Sequence, residues 1–179
     1  MEKKEEYKID FEKAEDYLKR RDFKQAIKEF EMVLKKWPND PRSYSKLGVC
    51  YASLKKIDKA KLYFEKSLEL DVKYAEPYNN LGNIYLEKKN YERAIELYKK
   101  ALKLKPDYAA AHSNLGLAYK RTKRIDEAVK HFKKAAEIDI RSPIIEIKKF
   151  KERSKNRSNI IIFLLILIGI ITLSTVLKR

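Results

Sequence analysis

Apolar side chains recur along this chain at three- and four-residue spacing, the period of an amphipathic helix. The pattern itself returns every 34 residues, so windows 7–40, 41–74, 75–108 and 109–142 align with one another. Within a window, position 7 is Leu47, Leu81 and Leu115, and position 8 is Gly48, Gly82 and Gly116. Position 11 is Tyr17, Tyr51, Tyr85 and Tyr119; position 20 is Ala26, Ala60, Ala94 and Ala128; position 24 is Phe30, Phe64, Tyr98 and Phe132. A fixed period of this length marks stacked supersecondary units. Each window reads as a hairpin of two helices. The small residues sit where the helices approach, the aromatics fill the space around that contact, and Pro38 and Pro106 stop the second helix because proline lacks a backbone donor. One hairpin cannot bury its apolar face alone, so neighbours stack into a continuous core.

These residues resemble the tetratricopeptide repeat, whose pattern is aromatic-x2-Leu-Gly-x2-Tyr followed by Ala, Phe, Ala and Pro. The resemblance spans 7–142 and implies an all-α fold, a right-handed α-solenoid of four hairpins. Window one departs from the pattern, with Asp10, Lys13 and Ala14 at positions 4, 7 and 8, as a terminal repeat facing water does. Residues 1–6 read as a tail. Ser142-Pro143 reads as an N-cap and first-turn pair, opening a basic capping helix or linker over 143–158 with Ile144, Ile147 and Phe150 on one face.

A second pattern closes the chain. Ile160 to Leu177 contains no charge, and at about 1.5 Å per residue it spans roughly 27 Å, enough for a short membrane helix. A transmembrane helix over 159–177 and a tail at 178–179 are expected. The first residues carry no apolar stretch of the signal-peptide kind. Lys148, Lys149, Lys151, Arg153, Lys155 and Arg157 precede the span, whereas only Lys178 and Arg179 follow it. The positive-inside rule then places the repeats in the cytoplasm and the C-terminus outside, as in a tail-anchored protein. The six preceding cations are candidates for contact with anionic lipid headgroups.

Composition adds little chemistry. The net charge is +16, and the 32 basic and 21 acidic residues of 7–142 suggest an excess spread over the array. A single cysteine, Cys50, excludes an internal disulfide framework. The histidines, His112 and His131, fall on different helices of window four with no third ligand in view. No phosphate loop or catalytic triad is present, so neither enzyme activity, nor a cofactor, nor a metal is expected.

The resemblance implies that a partner protein or extended peptide lies in the concave groove lined by the first helix of each hairpin, at positions 2, 5, 6, 9, 12 and 13. Asn80 and Asn114 share position 6, where asparagine resembles the ladder that some arrays use to hold a peptide backbone; an amide both donates and accepts. Lys46, Asn79, Asn83, Lys120 and Arg121 complete the candidate groove. The clamp of chaperone-binding members is not reproduced: Asn83 and Asn114 match it, but Asn79 stands where it needs lysine. The sequence thus points to a non-enzymatic, membrane-tethered scaffold or adaptor. The alternative is a basic surface for anionic lipid or nucleic acid, against which stands the mixing of Lys with Glu along the helices.

Overall fold

The computed structural model describes the backbone of residues 2–154 and the side chains of residues 4–141. The expected transmembrane helix over 159–177, with Lys155 and Arg157 before it, lies outside the described residues. Among those that are described, no helix is long and apolar enough to cross a membrane.

Among the described residues eight helices follow one another: α1 (Glu2–Lys19), α2 (Phe23–Lys36), α3 (Pro41–Ser53), α4 (Ile57–Leu70), α5 (Ala75–Glu87), α6 (Tyr91–Leu104), α7 (Ala109–Arg121) and α8 (Ile125–Ser154). Two compact units divide after Ala135. The first holds α1 to α7 and the opening of α8; in the second, the remainder of α8 is described.

Local chemistry sets the helix ends. Asp22, Asp40 and Asn90 cap α2, α3 and α6 by accepting from the backbone N–H three residues on, at 3.2, 2.9 and 3.2 Å. Pro41 occupies the first turn of α3, where its missing donor costs nothing. The turn inside every hairpin has one geometry. Arg21, Lys55, Lys89 and Lys123 take φ of 62°, 60°, 60° and 61°, and the following N–H returns to the tyrosine carbonyl at position 11, at 2.9–3.0 Å. This is the left-handed closure that helices commonly end on, and glycine is the residue that adopts it without strain.

Within the first unit each helix packs on the next, and the first helices of neighbouring hairpins touch, α3 on α5 and α5 on α7. Two clusters form the core: one gathers Phe11, Phe30, Leu47 and Phe64, the other Tyr98, Leu115 and Ala118, and Tyr85 packs against both. The small residues do what their spacing suggests. A methyl on Gly48 would stand 2.5 Å from the Phe64 ring, and one on Gly82 equally close to Tyr98. Cys50 is fully buried and its thiol is pushed up to about 12 by that burial, which leaves it a core side chain.

Two boundaries differ from the reading of the sequence. Residues 2–6 belong to α1 and are not a tail, because Glu and Lys are good helix formers and Glu6 and Asp10 both hold the Lys36 ammonium, at 2.8 and 2.7 Å. And α8 does not break at Ser142-Pro143. A proline inside a helix removes one backbone bond, and here the bonds on either side carry the helix past it.

Candidate functional site

The groove is built from α1, α3, α5 and α7. Asn79 and Asn114 meet across neighbouring hairpins, Asn114 donating to the Asn79 side-chain oxygen at 3.0 Å. Asn79 in turn donates to Asn80 at 3.4 Å. Asn79 is only 4% exposed, so it cannot serve as a groove contact; position 5 faces the adjoining helix, as buried Phe11 and Ser45 also show. Asn79 is therefore a buried bridge between α5 and α7, and Asn114 is half committed to satisfying it. Asn83 is also partly used, since Tyr98 Oη donates to its oxygen at 2.7 Å. The amide nitrogens of Asn80 and Asn83 retain free donors among the described residues.

Lys46 is not a free cation. It bridges Glu15 of α1 at 3.2 Å and Glu76 of α5 at 3.8 Å, tying three first helices together. Arg42 lies over the Phe11 ring at 4.1 Å from its centroid. Lys120 and Arg121 remain exposed in the last turn of α7. Of the basic stretch before the apolar run, Lys148, Lys149, Lys151 and Arg153 fall within α8 and their side chains are outside the described residues, as are Lys155 and Arg157.

Between α3 and α5 the groove deepens into a cleft of about 300 Å³. Val49, Ala52, Ile57 and Ile84 give it an apolar floor, Asn80 and Asn83 line it, and Ser53, Lys55 and Glu87 are its exposed lining residues. This is the arrangement that receives one apolar side chain of a ligand while amides hold the adjoining backbone. Sequence reasoning found the amides and missed the cleft, which exists only where two hairpins meet.

The structure also brings the two histidines together. Their Nδ1 atoms lie 2.9 Å apart, and His112 Nε2 is 3.0 Å from the Pro106 carbonyl. A carbonyl only accepts, so His112 carries its proton on Nε2; in the neutral pair His131 then donates from Nδ1. Burial, followed by the charges of His112, Lys130 and Lys99, holds the His131 imidazole below its usual value. The signal was legible: window two has Tyr44 and Tyr63 at the same two positions, and those rings stack at 6.3 Å. Among the described residues no group of three or more His, Cys, Asp or Glu could hold a metal.

Stacked hairpins with a concave, amide-lined face define a helical-repeat scaffold for protein–protein contacts. The repeats are tetratricopeptide repeats: models of that repeat match residues 10–40, 41–74, 63–96 and 109–139, and a further TPR-repeat model matches 82–123. Residues 10–139 therefore belong to the tetratricopeptide repeat family. The chain is 33% identical over 60 residues to Hsp70-Hsp90 organizing protein 2 of Arabidopsis thaliana, a match over 34% of this chain that spans a tenth of that relative's length. The structure of MamA MSR-1 superposes with a TM-score of 0.56 at 25% identity, covering 76% of this chain and 78% of that one. That of Pseudomonas aeruginosa pilF gives 0.71 at 24% identity over 86% and 72%, a likeness of fold.

Proposed function

We propose that this protein is a non-enzymatic adaptor, tethered to a membrane by 159–177, that holds an extended segment of a partner protein in its concave groove. The observation that carries the reading is the cleft between α3 and α5, where an apolar floor adjoins the free amide donors of Asn80 and Asn83. An amide pairs with any peptide unit, so it gives affinity without demanding a sequence; the cleft adds a preference for an apolar side chain. The tether rests on the uncharged run from Ile160 to Leu177, and its basic flank supports a cytoplasmic array. Confinement to the membrane would raise the effective concentration of the adaptor for partners held there.

Two variants test the two halves separately. Ser53→Trp closes the mouth of the cleft from an exposed position. It should leave the helical signal unchanged and abolish co-purification of the partner from the cells that make the protein; undiminished co-purification would remove the cleft from the binding site. Deletion of 159–179 should move the protein from the carbonate-washed membrane pellet to the supernatant. A full-length chain already in the supernatant would end the tether reading while leaving the groove intact.

A further inference from the structure

The positive charge of the repeats is not spread over them. The four turns inside the hairpins, residues 19–22, 53–56, 87–90 and 121–124, hold ten cations and two acidic residues, all exposed. They account for +8 of the +11 that 7–142 carries. The turns between hairpins, 37–40, 71–74 and 105–108, sum to −1. The solenoid therefore has one strongly basic edge and one nearly neutral edge. The mixing of Lys with Glu along the helices concealed this, because the asymmetry lies in the turns.

A second observation singles out position 15. Arg21, Lys55, Lys89 and Lys123 all adopt the left-handed conformation, where glycine would sit without strain. All four are cations, and none has an ion-pair partner among the described residues. The charge is kept at a position whose backbone favours its loss.

We propose that this edge, which meets the groove at Ser53, Lys55 and Glu87, is a further docking surface, for an acidic segment of a partner protein. Neighbouring hairpins repeat at about 10 Å, and a chain in the polyproline II conformation advances about 3.1 Å per residue with every third side chain on one face. Acidic side chains every third residue would therefore meet one turn each. A lipid surface is the poorer occupant, because the sixteen turn residues offer one large apolar side chain, the half-buried Leu54, and interfacial binding grows with the apolar area inserted. A single-stranded nucleic acid is poorer as well, because the sixteen turn residues include no aromatic side chain on which bases stack.

The test is direct, because removing the charge should strengthen the fold. The full chain in non-ionic detergent is titrated with a fluorescent twelve-residue peptide bearing glutamate at every third position. The same peptide with glutamine is the control, and a 20-nucleotide RNA and micelles containing phosphatidylserine are competitors. The glutamate peptide should bind and the glutamine peptide should not. Affinity should fall steeply between about 50 mM and 500 mM salt as the screening length shortens. The variant Arg21→Gly, Lys89→Gly, Lys123→Gly, which leaves Lys55 at the cleft in place, should bind at least tenfold more weakly at low salt while melting at a higher temperature. Unchanged affinity in that variant overturns the proposal. So does displacement of the peptide by RNA or by the lipid micelles at lower charge concentration than by unlabelled peptide.

Discussion

Replacing Gly48, Gly82 and Gly116 by alanine, one at a time, makes the same chemical change at one repeat position in three environments. In an open helix the exchange gains about 0.8–1 kcal/mol, since glycine is the poorer helix former. Against that stands the space for the new methyl. At Gly82 it would lie 2.5 Å from Tyr98 Cε1, and Tyr98 is fully buried and tied through its hydroxyl to Asn83. At Gly48 it would lie 2.5 Å from Phe64 Cε1, on a ring 1% exposed. Neither ring can withdraw without opening the next interface, and overpacking of this kind costs about 1–3 kcal/mol. At Gly116 the nearest atom is Phe132 Cε1 at 2.9 Å, on a ring 39% exposed that can give way. We expect Gly48→Ala and Gly82→Ala to destabilise by up to about 2 kcal/mol net and Gly116→Ala to cost less than either. Urea unfolding followed by the helical signal at 222 nm reads this as midpoint shifts at constant slope. A Gly116→Ala loss as large as that of Gly82→Ala would show that the rings do not set the cost.

Further outcomes follow from single contacts. Asn114→Ala leaves the Asn79 oxygen buried without its donor and should cost about 1–3 kcal/mol, whereas Asn80→Ala should cost under about 0.5; the same unfolding assay separates them. Lys89→Gly relieves a left-handed lysine and should add about 0.5–1 kcal/mol, after allowance for the greater freedom of glycine in the unfolded chain. His131 is depressed when folded, so the unfolded chain takes a proton there first; its contribution is complete above the ordinary value of 6.5 and lost as the pH falls below it. The double variant His112→Tyr, His131→Tyr, which recreates the Tyr44 and Tyr63 pair, should melt with a smaller drop between about pH 8 and pH 5. An undiminished drop would assign the acid sensitivity to other groups.

The repeat was legible because its determinants are local and periodic: Gly82, Ala94 and Tyr98 announce a close hairpin wherever they recur at that spacing. What escaped depends on which residues face one another between elements. Asn79 has the composition of a groove residue, yet position 5 points at the adjoining first helix, and only the packing of α5 on α7 buries it. Lys46 read as a free cation until Glu15 and Glu76, one hairpin away on either side, closed on it. The basic edge was hidden for a related reason. Charges four residues apart along a helix look balanced in a linear count, while the turns that hold the surplus are adjacent only in the solenoid. The Ser142-Pro143 pair misled because a proline signal is a local preference that a long helix overrides.

The central claim is that the concave groove, and not the outer helices, holds the partner. Site-specific photocrosslinking in the cells that make the protein tests it most directly. A photoreactive residue is placed at Ser53 or Glu87 at the mouth of the cleft, and at Leu62, 61% exposed on α4. The account predicts one common protein adduct from Ser53 and Glu87, none from Leu62, and loss of that adduct when Asn80→Ala is added. The same adduct from Leu62, with Ser53 and Glu87 silent, would contradict it.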